Sequence, residues 1–381
     1  MQQHRQRHRV NQQPVAVLSL FAVAGTLWHN WRLWQSDRRR VDLLRAQSRP
    51  VPALPAYPRV SVLVAAWNEA HQIDAHLRSF DALVYPNIEL IVCAGGEDDT
   101  LQRAMRYERA NIRVLEQQPG EGKQAALARC YQHATGHILY FTDADCRYDD
   151  AALAWLLAPL IAEDEQVATG CSRPLIEQGH KTLPCYLWSA DVVANVARPT
   201  YTTGLLGRNM AVTRNALEAS GGLSFLARTG TDYQLAKRLL GAGYRIRFVR
   251  ESEVQTQYPE SALAYRRKQG RWLRNLLLHG WHYGAMKDVA VTLRTVLVGL
   301  TMVVAPLASM WFGIGTLSVW MVLLIHAASS KLRYILFTAR LYHLPVAARL
   351  VWSILPLTLL DFAIWAVPAL DLLFPRRREQ W

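Results

Sequence analysis

Apolar positions follow two different patterns along this chain. Towards both ends they run together, at Pro14–Trp31, Val289–Phe312 and Leu350–Phe374. Between them, short β-branched runs alternate with stretches of helical period. Val60–Ala66, Ile88–Cys93, Ile112–Leu115 and His137–Thr142 predict four buried strands. Ala70–Leu83, Thr100–Ala110 and Lys123–Ala134 predict the helices among them. Strands alternating with helices imply an α/β domain on a doubly wound, mostly parallel sheet. Such a sheet binds ligands beyond the carboxyl ends of its strands.

The apolar runs predict membrane contact. Pro14–Trp31 is uncharged and close to the shortest length that spans a bilayer. It ends in Trp28-His29-Asn30-Trp31, not in the small residues of a signal cleavage site. Val289–Phe312 is the clearest span despite Arg294, and Thr316–Ala328 predicts a shorter return. Pro356, Asp361 and Pro368 interrupt Leu350–Phe374, which reads as one crossing or as a re-entrant hairpin. Asp361 is either a functional intramembrane carboxylate or an interfacial residue facing water. The expected order is a basic tail (1–13), a transmembrane helix (14–31), a cytosolic linker (32–57) and a catalytic domain (58–250). Interfacial amphipathic helices (251–288), a C-terminal membrane region of two to three spans or a hairpin (289–375) and a basic tail (376–381) follow.

Charge sharpens this picture. The formal net charge is +13, which suits either nucleic acid or anionic lipid and anionic ligands. The basic clusters are Arg5, Arg7 and Arg9; Arg38, Arg39 and Arg40; Arg266, Arg267 and Lys268; and Arg376, Arg377 and Arg378. Each flanks an apolar or amphipathic stretch, which favours membrane lipids over nucleic acid. Many of the 13 tryptophans lie beside basic residues at the edges of apolar runs, as interfacial residues do. Arginines after the first run outnumber those before it, so residue 32 onward is expected on the cytosolic side of a cell membrane. The five cysteines show no metal-ligand spacing and no disulfide framework, in keeping with a reducing compartment.

Polar groups gather just after the predicted strands. Trp67-Asn68-Glu69 follows the first, Asp98 and Asp99 the second, Gly120-Glu121-Gly122-Lys123 the third, and Asp143-Ala144-Asp145 the fourth. Two carboxylates at i and i+2 can share a hard divalent cation such as Mg²⁺ or Mn²⁺, with a diphosphate completing its oxygen shell. The same spacing also occurs in solvated acidic turns. Lys123 begins a helix behind two glycines, where backbone N–H groups and a cation can meet an anion. The P-loop pattern is absent. Asp232, at an expected helix start, suits a general base or a helix-terminal carboxylate. Lys268-Gln-Gly-Arg271-Trp272 suits an interfacial helix, and also a guanidinium fork for diphosphate beside an aromatic platform.

The ordered set resembles the inverting family 2 glycosyltransferases of GT-A fold. It is most similar to the membrane-bound branch with cellulose, hyaluronan and poly-N-acetylglucosamine synthases and ceramide glucosyltransferase. The resemblance spans roughly residues 58–275. It implies a nucleotide-sugar donor, a lipid or glycan acceptor and Mg²⁺ or Mn²⁺. It assigns Ala66, Asn68, Glu69, Asp98, Asp99, Lys123, Asp143 and Arg271 to the donor. It assigns Asp145 to the metal, Gly207, Arg208, Asn209 and Trp272 to the acceptor, and Asp232 to catalysis as base. Three positions depart from the family pattern. Cys93-Ala94 replaces an acidic pair, Thr231 replaces the Glu before the base, and Lys268 replaces the leading Gln of the Arg-Trp motif. A processive polysaccharide synthase and a non-catalytic membrane scaffold are the alternative readings.

Overall fold

A computed structural model describes residues 12–224, 229–312 and 314–369. The expectations for Arg5, Arg7 and Arg9 and for the 376–381 tail fall outside the described residues. In chain order the elements are α1 (Gln12–Ala46), β1 (Val60–Trp67), α2 (Ile73–Asp81), β2 (Ile88–Gly95), α3 (Thr100–Met105), β3 (Ile112–Glu116), α4 (Gly122–His133), β4 (Ile138–Asp143), β5 (Cys146–Arg147), α5 (Asp150–Ala162) and β6 (Val167–Pro174). There follow α6 (Thr182–Ala197), β7 (Tyr201–Thr202), β8 (Met210–Thr213), α7 (Arg214–Ala219), α8 (Thr231–Gly241), β9 (Ile246–Thr256), α9 (Ala262–His282), α10 (Met286–Phe312), α11 (Ile314–Leu341), α12 (Ala348–Trp352) and α13 (Ile354–Trp365). They form two compact units. One comprises Arg49–Gly179 and Ala194–Tyr258; the other comprises Met1–Ser48, His180–Val193 and Pro259–Trp381.

The first unit is an α/β domain on one sheet, ordered β3-β2-β1-β4-β8-β6-β9-β5, with β7 beside β9. β3, β2, β1 and β4 are mutually parallel. Beyond β4 the pairing becomes mixed: β8 is antiparallel to β4 and β6, and β9 is parallel to β6. The parallel character read from the sequence thus describes the four strands that were legible, and the later strands add antiparallel pairs. Side-chain alternation sorts β1 between two cores. Val60, Val62 and Val64 pack with Leu77, Phe80 and Leu156 on one face. Leu63 joins Leu127, Phe141, Leu235 and Leu239 on the other. Each fully buried Leu or Phe of this kind contributes about 1.5–3 kcal/mol, so both faces are anchored and the rim is held rigidly.

The order 3-2-1-4 turns back between β1 and β4. That reversal opens a crevice at their carboxyl ends, and the loops beginning at Trp67 and Asp143 border it.

The second unit is helical. Among the described residues, Met286–Trp311 and Gly315–Leu341 are long and apolar enough to cross a membrane. The second continues 13 residues beyond the expected Ala328. The reason is that its polar end is internally paired: Arg333 meets Asp37 at 2.6 Å and Arg340 meets Asp42 at 2.9 Å. α1 likewise runs on through the basic stretch expected to be linker. From Arg32 onward no glycine or proline occurs before Pro50, and the charges of this part of α1 face those of α11. The contacts Asn30–Ser330, Asp37–Arg333 and Asp42–Arg340 advance together along both helices, so α1 and α11 lie parallel. α13 lies directly on the α10 backbone at Gly299. A Cβ there would come 2.7 Å from Trp365 Cβ and 2.8 Å from the Phe362 carbonyl oxygen, so only glycine permits this approach.

The structure removes one of the two readings of Asp361. It does not face water: it is fully buried. Tyr186 and Tyr265 donate to its two oxygens at 2.7 and 2.8 Å, and Lys331 pairs with it at 2.8 Å. Two hydroxyls and an ammonium surround one carboxylate, which is how a buried charge is accommodated.

Candidate active site

The loop after β1 begins with a left-handed residue, Asn68 at φ 58°. Asparagine tolerates this conformation better than most residues, and its Oδ1 accepts from the Glu97 N–H at 2.7 Å. The Glu69 N–H donates to Thr100 Oγ1 at 2.7 Å, and the Ala70 N–H donates to Asp98 Oδ2 at 3.1 Å. The β1 and β2 loops are therefore tied to each other. Burial would raise the Asp98 pKa, but hydrogen bonds from Thr100 and Ala70 outweigh it and hold Asp98 below the ordinary carboxylate range. Asp98 is thus a loop fastener. Asp99 is exposed beside it at the start of α3.

The opposite wall follows β4. Asp143 ends the strand, and Lys123, on the first turn of α4, forms a short ion pair with it. Asp145 Oδ2 accepts from Thr256 Oγ1 at 3.3 Å. His76 sits beneath this loop, fully buried, with Nδ1 2.8 Å from the Cys146 carbonyl oxygen. Burial lowers its pKa to about 4, so it is a neutral donor that fixes the end of the acidic loop.

Glu69 registers what surrounds it. Its pKa is pushed up to about 7, first by burial and then by the charges of Asp145, Asp143 and Asp98, against the smaller opposing effect of Lys123. Lys123 in turn loses some basicity to burial but gains more from Asp143, Asp232 and Asp145, so its pKa rises. These mutual fields show that five groups read separately from the sequence share one rim: Glu69, Lys123, Asp143, Asp145 and Asp232.

Asp232 lies on the first turn of α8, after Gly230 in a left-handed conformation. Its Oδ1 accepts from the Tyr233 N–H at 2.9 Å and its Oδ2 from the Gly207 N–H at 3.3 Å. A Cβ on Gly207 would press on the Asp232 side chain at 3.0–3.3 Å, so a bare backbone there lets the carboxylate lie flat. Arg208 Nε donates to Ser172 Oγ at 3.0 Å.

Two expected contacts are buried in the fold. Ala66 is fully buried within β1 and offers no side-chain surface. Asn209, expected to face the acceptor, is 1% exposed. Its amide donates to the Cys171 carbonyl at 3.0 Å and to Ser252 at 3.1 Å. That amide bridges β6 and β9 where their register shifts between Thr169 and Cys171, satisfying polar groups that an irregular ladder exposes. Arg271 and Trp272 belong to the helical unit, on α9, both exposed. Thr100 closes the Gly95-Gly96-Glu97-Asp98-Asp99-Thr100 turn, whereas His76, Ser172 and Thr256 support the site but escaped sequence reading. None of these three lies in a recognisable motif, and only the fold brings them to it.

The donor set is one of hard oxygens carrying surplus negative charge, which is the chemistry of a Mg²⁺ or Mn²⁺ site. Among the described residues, no three His, Cys, Asp or Glu side chains come together as a complete metal cage. An ion at Asp145 would therefore take the rest of its shell from a ligand and water, and the residues present fit that arrangement. All five cysteines are free, four of them buried.

Comparison with known proteins agrees with this architecture. Residues 186–365 match the family described as glycosyl transferase family group 2. The chain is 27% identical over 235 residues to the probable glycosyltransferase YdaM of Bacillus subtilis, which covers 57% of this chain and 55% of that protein. This chain thus spans about half the length of that curated relative. Over 87 residues it is 28% identical to WfgD of Escherichia coli, a UDP-Glc:α-D-GlcNAc-diphosphoundecaprenol β-1,3-glucosyltransferase, covering 23% of this chain and 34% of that one. The fold is similar to the mannosyltransferase PcManGT of Pyrobaculum calidifontis, solved with GDP-Man and Mn²⁺. The TM-score is 0.54 at 17% identity, covering 95% of this chain and 99% of that one. Residues 58–275, more than half the chain, match the model described as glycosyltransferase like family 2, and the chain belongs to that family.

Proposed function

We propose that the protein is an inverting glycosyltransferase that moves a sugar from a nucleoside-diphosphate donor, UDP-linked as first candidate, to a lipid-linked or membrane-proximal acceptor. One observation carries this reading. Asp143, Asp145 and Asp232 all act on one cation, Lys123, at the rim where the sheet order reverses. An unpaired acid would need no such company. A base facing an anionic leaving group does.

In this reading Asp232 accepts the proton of the acceptor hydroxyl as that oxygen attacks the anomeric carbon. The bond to the diphosphate breaks on the opposite face, so configuration inverts. The Gly207 and Tyr233 N–H groups hold Asp232 in place, one on each oxygen, and the remaining lone pairs serve the acceptor. Asp143 and Glu69 face the nucleotide, with Lys123 supplying positive charge beside them. Asp145 would hold Mg²⁺ or Mn²⁺, which when bound offsets charge on the diphosphate. Arg271 and Trp272 are assigned to diphosphate and acceptor on the strength of their motif.

We place the chain in the membrane-bound branch of its family because two helices have spanning length and composition. The charged ends of α1 and α11 share one side, and the positive-inside rule puts that side in the cytosol. WfgD acts on a lipid-linked diphosphate acceptor, which favours single additions to a lipid carrier here. The test is a thermal-shift panel of UDP-Glc, UDP-GlcNAc, UDP-Gal and GDP-Man with Mn²⁺, followed by transfer to undecaprenyl-linked acceptors. One donor should stabilise the protein and yield one sugar per acceptor. Absence of both donor stabilisation and donor hydrolysis would favour the scaffold reading, and a product ladder the synthase.

A further inference from the structure

Within the helical unit, α10, α11 and α13 line an open groove of about 630 Å³, in the size range of small-ligand sites, with Arg294 and Leu297 exposed along it. Its polarity is graded. Leu297, Met302, Leu323 and Phe362 give it an apolar body, while Arg294, Lys331 and Asp361 contribute its charges. These charges lie at matching depth. Arg294 comes 19 residues before position 313, where α10 gives way to α11, and Lys331 comes 18 after it. Met302 and Leu323 lie about 12 Å nearer that junction, at 1.5 Å per helical residue.

The charges do not cancel. Lys331 is paired with Asp361 at 2.8 Å, and that carboxylate is also filled by Tyr186 and Tyr265. Arg294 has no hydrogen-bond or ion-pair partner among the described residues, and it lines the groove. A guanidinium in a span-length helix is expensive unless something anionic or wet meets it. Its planar fork suits a phosphate.

We propose that this groove binds a single-chain lipid phosphate, the hydrocarbon chain lying among Leu297, Met302, Leu323 and Phe362 and the phosphate on Arg294. The site lies wholly within the helical unit and requires no sugar donor, so it stands or falls apart from the transferase reading.

The experiment uses the full chain in phosphatidylcholine nanodiscs with a diazirine-bearing hexadecyl monophosphate, and with the matching hexadecanol. After photolysis, peptides of α10, α11 and α13 are mapped by mass spectrometry. The phosphate probe should label them at least tenfold more than the alcohol. Arg294→Gln should bring it down to the alcohol's level, and Arg294→Lys should retain most of the labelling. Thr301→Trp, which fills the groove, should remove both. Excess inorganic phosphate should compete weakly, and excess phosphatidylglycerol should not compete. Equal labelling by the two probes in the wild type overturns the proposal. So does phosphate-probe labelling that survives Arg294→Gln in a protein with a wild-type melting curve, or full displacement by phosphatidylglycerol.

Discussion

Two regions of this molecule withdraw carboxylates from water and treat them in opposite ways. In the helical unit Asp361 is surrounded by donors: two tyrosine hydroxyls and Lys331. On the sheet rim Glu69 is surrounded by other carboxylates, which with burial lift its pKa to about 7. The first arrangement is complete and holds helices together. The second is short of positive charge and so prepared for a cationic or proton-bearing ligand. Burial of an acid alone therefore says little; the sign of its neighbours separates scaffold from site.

The contrast can be broken at several points. The largest expected effect is on turnover. Asp232→Asn should lower transfer by about 10²–10⁴-fold, the range of a general base, with donor affinity by thermal shift unchanged. Near wild-type turnover would remove Asp232 from its assigned role. Next comes Asp361→Ala, which leaves Lys331 buried without its partner and should cost about 3–5 kcal/mol of stability, read by denaturant unfolding in detergent. Asp145→Ala should do the reverse. It relieves crowding, so the protein without metal should be no less stable, while Mn²⁺-dependent donor binding disappears. Equal destabilisation by both substitutions would erase the distinction.

A smaller effect is expected at Gly207→Ala. The new methyl displaces Asp232 by tenths of an ångström, and transfer should fall about tenfold with unchanged melting temperature, since misplacement by 1 Å costs about 10²-fold.

The smallest effect is a slope in pH. The folded Glu69 pKa of about 7 exceeds the ordinary glutamate value of 4.5, so its contribution to stability is present below pH 4.5 and fades as pH rises to 7. His76 behaves oppositely. Its folded pKa of about 4 lies below 6.5, so its contribution is present above pH 6.5 and fades as pH falls to 4. In the wild type the two slopes oppose each other between pH 4.5 and 6.5. Glu69→Gln should unmask the His76 slope, at most about 1.4 kcal/mol per pH unit for one proton. Identical stability profiles for the variant and the wild type across that window would show that Glu69 titrates as an ordinary surface acid.

The legible part of the fold was the part written in continuous apolar residues. β1, β2 and β4 are largely apolar runs buried on both faces, β3 is the edge strand with Arg113 exposed, and their loops carried the motifs. The later strands were hidden. β9 contains Arg247, Arg250, Glu251, Glu253 and Gln255, which reads as a solvated loop. It is a strand because it pairs on both sides and because its Ser252 is buried against Asn209. The structural part of Asn209 was hidden for the same reason: a polar residue in a motif suggests a ligand, and only the register shift shows that the backbone itself uses its amide. Asp361 left two readings open in the sequence, since its partners Tyr186, Tyr265 and Lys331 are up to 175 positions away.

The parallel pairing of α1 with α11 also sets a timetable. Asp37 and Arg333 are 296 positions apart. At roughly 5–20 residues per second of synthesis, the ribosome delivers the second about 15–60 s after the first. α1 thus waits through most of the described chain before it can find its mate. Until then its acidic positions must be shielded by lipid headgroups, water or an insertion factor, and an N-terminal fusion that delays docking should show its defect in biogenesis before it shows one in the finished protein.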